Sequence, residues 1–180
     1  MNFETREKIP ITLVITRGTY LEHFLMNWVE PDPKNISEKI INWLSSQPWF
    51  SIPNIQGIWT HGMTIAGLGI LRSKLLMEKL DSVLISITDE APNTKAVKKA
   101  LVSNIDDGLN RWEQFQENNV TPFPIRDRIP KCNLWIANYN ISLDESIKQL
   151  KNQQIQGCLP EGLRLAQITA KNIVNSDEKY

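Results

Sequence analysis

Hydrophobic residues change their period several times along the chain. The runs at 11–16, 83–87 and 134–137 are short, apolar and rich in β-branched residues, as in strands that are covered on both faces. A further strand is predicted at 55–60. Because the three apolar runs are too hydrophobic for an exposed edge, we expect them to be neighbouring, mostly parallel central strands.

Between the predicted strands, apolar positions recur every three or four residues, which is typical of helices with one buried face. Two of these segments open on a capping-box pattern, Thr19 with Glu22 and Ser142 with Glu145. The stretch 118–131 contains three prolines and is predicted to be a loop. The helices are predicted at 20–28, 35–44, 64–80, 94–115, 142–150 and 163–174.

Strands that alternate with helices indicate parallel pairing through right-handed crossovers. The predicted fold class is therefore a single three-layer α/β domain with a mostly parallel central sheet and helices on both faces. Its 180 residues suit one domain with one core. We expect the domain to span 1–180, with flexible ends at 1–9 and 175–180.

Composition narrows the classes of function. Lys plus Arg and Asp plus Glu both number 20, so the formal net charge is zero. Binding of nucleic acid through phosphates usually shows as a basic excess, which leaves only a local basic patch for that function. The first ten residues do not resemble a signal peptide and no stretch is apolar enough to cross a bilayer, so a cytoplasmic location without membrane contact is expected.

The two cysteines give no motif. Cys132 and Cys158 lie 26 residues apart without a partner pattern. In a reducing compartment two free thiols are favoured over a bridge between them.

In open α/β sheets, ligands bind beyond the carboxyl ends of the strands. The predicted strands end in loops that carry polar and small residues, and these supply most of the candidate binding residues. Two chemistries fit: an anion held by Arg17 and the backbone at Gly18, or a magnesium or calcium ion held by oxygen atoms. Helix caps and turns explain several of these residues equally well. The binding candidates are Arg17, Gly18, Thr19, Asp89 and Glu90, and the oxygen ligands would be Thr19, Thr64 and Asp89.

His61 follows the strand at 55–60 and is the one candidate general base in these loops. No serine or cysteine nucleophile accompanies it in a local motif. The sequence contains no phosphate-cradling glycine loop, dinucleotide fingerprint or His/Cys metal cluster. No cofactor is therefore predicted, and no catalytic residue is assigned unless the protein is an enzyme that uses His61.

Trp49 and Phe50 lie between Pro48 and Pro53 and are added to the binding candidates. An aromatic pair in a loop that is restricted by prolines can anchor a partner protein. The alternative is that both rings pack into the core, and we favour this interpretation because side chains of this size are usually covered.

The segment 82–93, Ser-Val-Leu-Ile-Ser-Ile-Thr-Asp-Glu-Ala-Pro-Asn, resembles the central strand and following turn of von Willebrand factor A domains. The resemblance implies an adhesion-type α/β domain. Where that family places its metal-binding aspartate and first serine, this chain has Ile15 and Arg17. Only Thr19, Thr64 and Asp89 match, which implies a degenerate site without a metal.

The main functional hypothesis is a non-catalytic protein-interaction module, or complex subunit, that binds a partner protein through its strand-end loops. One alternative is a small hydrolase or nucleotide-handling enzyme that uses Arg17, His61 and Asp89 at the carboxyl edge of the sheet. Another is a subunit of a ribonucleoprotein complex, with an RNA-containing partner. A pocket that contains His61 and Asp89 would favour the enzyme. A surface that unites Lys95, Lys98 and Lys99 with Arg126 or Arg128 would favour nucleic acid.

Overall fold

The computed structural model describes residues 7–51, 55–118, 122–126 and 132–177, with the backbone alone described for 126 and 175–177. Of the ends expected to be flexible, 1–6 and 178–180 lie outside the described residues, whereas Ile9 begins a strand and 175–177 end a helix. No helix in the described ranges is long and apolar enough to cross a membrane. The elements are β1 (Ile9–Arg17), β2 (Tyr20–Val29), α1 (Ile36–Ser45), β3 (Gly57–His61), β4 (Thr64–Ile65), β5 (Gly69–Ile70), α2 (Ser73–Leu80), β6 (Val83–Thr88), α3 (Thr94–Asn104), α4 (Gly108–Glu117), β7 (Phe123–Arg126), β8 (Asn133–Tyr139), α5 (Leu143–Gln153) and α6 (Glu161–Asp177).

The main sheet is mixed, with strand order β3-β6-β8-β7. β3 runs parallel to β6, whereas β8 is antiparallel to both β6 and β7. The prediction of a mostly parallel three-layer sheet is therefore wrong. A parallel crossover needs about a dozen residues or more. β8 begins only a few residues after β7, so the two strands can pair only in the antiparallel sense. β7 itself lies within 118–131, which was predicted to be a loop.

The first apolar run is a strand, as predicted, but it lies in a separate hairpin rather than in the main sheet. β1 pairs with β2, and β2 occupies the segment 20–28 that was predicted to be a helix. Gly18 and Thr19 connect the strands, and Gly18 adopts a φ of 60° that a glycine accepts without strain. Glu22 pairs with Arg17 across the hairpin at 2.5 Å instead of completing a capping box.

Three predicted helices are confirmed as α1, α5 and α6, and Ser142 caps α5 by accepting a hydrogen bond from the Glu145 amide. The predicted helix at 64–80 is wrong in its first half, which forms the small β4–β5 ribbon. The predicted helix at 94–115 is two helices, α3 and α4. Gly108 begins α4 where a Cβ atom would lie 2.1 Å from the Leu101 carbonyl oxygen, so the helices approach as closely as only glycine permits.

Apolar clusters lie against both faces of the main sheet because the side chains of β6 alternate. Leu84 joins a cluster with residues of α1, α2 and the β1–β2 hairpin. Ile85 and Ile87 point to the opposite face and pack with residues of β8 and α5. Tyr139 ends β8 in the first cluster, and its burial raises the pKa of the phenol to about 12. This packing holds the ends of β3 and β6 at fixed positions.

Cys132 and Cys158 form a disulfide with a Cα–Cα distance of 5.5 Å. The expectation of two free thiols is therefore wrong. The bridge joins the residue before β8 to the segment before α6, so it links the main sheet to the last helix.

We expect the double change Cys132→Ala and Cys158→Ala to lower the free energy of unfolding by about 3–4 kcal/mol, because the closed loop restricts the unfolded chain. Urea denaturation of both proteins, with and without reductant, measures this loss. Reductant should shift the midpoint of the wild type alone. Equal midpoints for the oxidised wild type and the double variant would contradict a stabilising bridge.

Candidate functional site

The carboxyl ends of β3 and β6 lie side by side because these strands are parallel and in register, with His61 opposite Ile87. His61 is the last residue of β3, and Asp89 directly follows β6. The two side chains meet, with 3.4 Å between His61 Nε2 and Asp89 Oδ2. The Gly62 amide donates to the Ile87 carbonyl at 3.0 Å and ties the two loops together. Two of the predicted site residues are thus brought into contact.

The histidine–carboxylate pair is open to solvent, with side-chain exposures of 39% for His61 and 64% for Asp89. An ionised carboxylate only accepts hydrogen bonds, so it favours the tautomer in which Nε2 carries the proton. Nδ1 then holds a lone pair with which it can take a proton from water. The distance is longer than a strong hydrogen bond, as is common at sites without substrate.

A basic helix follows this pair along the chain. α3 begins shortly after Asp89 and exposes Lys95, Lys98 and Lys99 without any acidic residue of its own. Within the described ranges none of the three ammonium groups has a carboxylate partner, and the Lys98 ammonium lies over the Trp112 ring, 5.4 Å from its centroid. We call these three lysines the α3 basic face. The two arginines expected beside it cannot be placed, because the Arg126 side chain and Arg128 are outside the described residues.

A cavity of about 580 Å³ opens at the start of α2. Its position follows from the β4–β5 ribbon, which returns the chain so that the Leu71 amide donates to the Met63 carbonyl at 2.9 Å, close to the end of β3. Arg72 and Lys74 line the cavity. Arg72 pairs with Glu38 at 3.2 Å and Lys74 with Glu78 at 3.9 Å, so the cavity has no clear excess of positive charge.

The lining residues of this cavity were missed because 64–80 was interpreted as one continuous helix. Gly67 and Gly69 flank a single residue in that segment. Glycines at this spacing are a turn signal that could have predicted the ribbon and the later start of α2.

Arg17, Gly18 and Thr19 lie at the β1–β2 turn and not at a helix N-terminus. The helix that was predicted to begin there is therefore wrong, whereas a binding role for Arg17, Gly18 and Thr19 stays a prediction. Glu90 lies in the loop after β6, where its carbonyl accepts a hydrogen bond from the Thr88 hydroxyl at 2.8 Å.

Trp49 and Phe50 follow α1. Trp49 stacks on His23 with 3.9 Å between ring centroids, and Phe50 lies edge-on to Trp49 and packs against the core. Their role as a contact for a partner protein stays a prediction.

The oxygen ligands proposed for a metal are not brought together. Thr19 lies at the hairpin turn, Thr64 in β4 and Asp89 after β6, and no hydrogen bond joins any two of them. In the part of the chain that the structure describes, no three His, Cys, Asp or Glu side chains converge as a metal site would require. Thr19, Thr64 and Asp89 therefore do not fit a metal site.

This mixed α/β fold is shared with proteins of known structure. A protein of unknown function from Archaeoglobus fulgidus superimposes with a TM-score of 0.80 at 20% identity, over 96% of this chain and 93% of the other. Human ENDOV superimposes with a TM-score of 0.53 at 10% identity, over 96% of this chain and 86% of the other. At these identities the likeness concerns the fold alone.

The chain belongs to the Endonuclease dU family, whose model matches residues 2–174. A UPF0215 protein of Thermococcus sibiricus is 22% identical over 175 residues, which cover 97% of this chain and 86% of that protein. A UPF0215 protein of Nanoarchaeum equitans is 25% identical over 174 residues, which cover 95% and 82%.

Membership in this family corrects several predictions. The von Willebrand factor A resemblance is wrong, because the family model spans almost the whole chain and names a different family. The family is named for an endonuclease, which contradicts the hypothesis of a non-catalytic interaction module. The expectation that the protein is not an enzyme is wrong for the same reason. The alternative of a small hydrolase or nucleotide-handling enzyme at the carboxyl edge is the better supported one.

Proposed function

We propose that this protein is an endonuclease that hydrolyses phosphodiester bonds of nucleic acid at the carboxyl edge of β3 and β6. The observation that carries the proposal is the contact between His61 and Asp89 at the ends of two parallel strands. Family membership supports the reaction class. The family name further suggests DNA that contains deoxyuridine as the substrate.

In this proposal His61 is the general base and Asp89 the group that orients it. Nδ1 of His61 takes a proton from a water molecule while the water oxygen forms a bond to phosphorus. One P–O ester bond breaks, and its electron pair leaves with the sugar oxygen, which takes up a proton from solvent or from the imidazolium. Asp89 stabilises the imidazolium that forms, because the negative carboxylate lies at its other nitrogen.

The α3 basic face is proposed to hold the phosphates next to the scissile bond. Its lysines begin a few residues after Asp89 and have no acidic neighbour on their helix. A protein of zero net charge can bind nucleic acid only if its cations are grouped, and this helix supplies such a group.

Replacing Lys95, Lys98 and Lys99 with glutamine should weaken DNA binding. It should also make the negative slope of log affinity against log salt shallower by about 2–3, since each phosphate contact contributes about 0.7–0.9 to its magnitude. Fluorescence anisotropy with a labelled oligonucleotide at several salt concentrations measures the slope. The matched control replaces Lys148, Lys151 and Lys171, on α5 and α6, and should leave the slope unchanged. Equal slopes for both triple variants would assign phosphate binding to another surface.

The proposed activity is tested by incision of an end-labelled DNA duplex that carries one deoxyuridine, beside the same duplex with thymidine. The purified protein should cut the first duplex near the deoxyuridine and spare the second. Equal cutting of both would retain an endonuclease but remove the proposed substrate. Absence of cutting on both duplexes and on their single strands, with and without added magnesium or manganese, would refute the proposal.

A further inference from the structure

An apolar stripe on β2 has no cover in the described part of the protein. Leu21, Phe24, Met26 and Trp28 share one face of the hairpin, since their partners in β1 are Thr16, Val14, Thr12 and Pro10. Their residues are 55%, 42%, 44% and 38% exposed, respectively. We call these four side chains the β2 stripe.

The β1 half of the same face is covered by α6. The Thr12 hydroxyl donates to the Ala166 carbonyl at 2.8 Å, and Gly162 packs against Thr16 and Val14. On this face of the hairpin α6 therefore covers the residues of β1 and leaves those of β2 exposed. Together the four side chains leave roughly 350 Å² of apolar surface uncovered, given about 150–250 Å² for a large side chain.

The outer edge of β2 is also open. Among the described strands β2 pairs only with β1, and the Trp28 amide donates to the side chain of Asn27 at 2.8 Å rather than to a strand. Amides alternate in direction along a strand, so those of Phe24 and Met26 also point to the free edge. Edge strands are usually protected by lysine, proline or inward charges. β2 contains no lysine or proline, and Glu22 is its single acidic residue.

We propose that the edge of β2 pairs with β2 of a second copy, antiparallel and about a two-fold axis at Met26. This register places Phe24 of each copy opposite Trp28 of the other, and Met26 opposite Met26, so the two stripes join into one apolar surface. Cross-strand aromatic pairs of this kind stabilise sheets. A two-fold axis makes the contact self-complementary and closes the assembly at two copies.

Charge at the ends of this register is compatible with pairing. The regular part of β2 runs from His23 to Val29, and Glu22 of one copy comes opposite Glu30 of the other just outside it. Each carboxylate already has a cation in its own copy, Arg17 for Glu22 and Lys39 for Glu30. Two ion pairs therefore meet, rather than two bare carboxylates.

The contact is small. A stable interface buries about 800 Å² on each partner, which is more than the exposed area of the β2 stripe. The paired strand edges supply only part of the missing area. The dimer is therefore weak. It requires no residue of the His61–Asp89 site, so its test is independent of the proposed function.

Sedimentation equilibrium of the full chain, from low micromolar to submillimolar concentration, tests the dimer. The average mass should rise from 20.7 kDa toward twice that value. Met26→Lys places two ammonium groups on the axis and should remain a monomer with an unchanged melting temperature. Leu109→Lys, at an exposed apolar residue of α4, is the matched control and should still dimerise.

A second variant tests the register. A residue on the axis faces its own copy across a Cα–Cα distance of about 5.5 Å, within the range that a disulfide spans. Met26→Cys should therefore form a covalent dimer on mild oxidation, whereas Leu109→Cys should not. A monomer at every concentration, a larger open assembly, or a dimer that Met26→Lys leaves intact would overturn the proposal.

Discussion

Replacing His61 with alanine is expected to lower the rate of DNA incision by about 100- to 10,000-fold, the usual contribution of a general base. The loss should occur without unfolding, because the side chain is exposed and packs into neither apolar cluster. Single-turnover incision at saturating enzyme separates this loss from weaker binding. DNA affinity, measured by anisotropy, should change little.

The control for this change is the other histidine, His23, which stacks on Trp49 away from the proposed reaction. His23→Ala should lose some stability but keep the wild-type rate for each folded molecule. If both histidine variants retained the wild-type rate, His61 would have no role as the base.

Replacing Arg111 with methionine should lower the free energy of unfolding by about 3–5 kcal/mol. Two backbone carbonyls would each lose a donor at about 1–3 kcal/mol apiece, and Asp107, which is one third exposed, would keep only Lys34 as a cation in the described part of the chain. The Arg111 side chain is 4% exposed, and its Nε pairs with Asp107 at 2.9 Å. Its Nη1 also donates to the carbonyls of Asp32 at 2.8 Å and Leu68 at 3.2 Å. Methionine would leave these acceptors without a donor in the interior.

Urea denaturation measures this loss, with Lys148→Met as the control. The Lys148 side chain is 70% exposed in its pair with Glu145, and exposed pairs contribute less than about 1 kcal/mol. A loss at Arg111 as small as that of the control would show that the link between α4, the turn at Asp32 and the β4–β5 ribbon is not important for stability.

The carboxyl edge of the sheet could be predicted because its signals are local. Continuous apolar residues define β6, and a polar loop with Asp89 follows at once. His61 ends a strand in the same way, and the parallel pairing of β3 with β6 brings the two residues together. The role of Arg17, Gly18 and Thr19 could not be predicted from their own neighbourhood in the sequence. It depended on whether a helix or a strand came next.

The rest of the fold depends on contacts that a single segment does not contain. β2 reads Tyr-Leu-Glu-His-Phe-Leu-Met-Asn-Trp-Val, and so many apolar residues fit helical spacing as well as a strand. Pairing with β1 decides between the two. The direction of β8 likewise depends on β7, a short strand with a proline in a region that is otherwise typical of a loop.

The reaction class could not be predicted from motifs either. No short run of residues carries it, and membership in the family rests on a pattern that is spread over residues 2–174. The start of α2 at the cavity is set by the β4–β5 ribbon, which was predicted to be part of a helix, and the α3 basic face follows β6 along the chain. Composition, with its zero net charge, obscures a basic group that is confined to one helix.

The most direct test of the proposed function compares four proteins in one incision experiment on the deoxyuridine duplex: wild type, His61→Ala, Asp89→Asn and Glu90→Gln. The last is a matched control, since Glu90 is the exposed carboxylate next to Asp89. Wild type and Glu90→Gln should cut at the same rate, while His61→Ala and Asp89→Asn should both be strongly impaired. Equal cutting by all four proteins would contradict a reaction at this site.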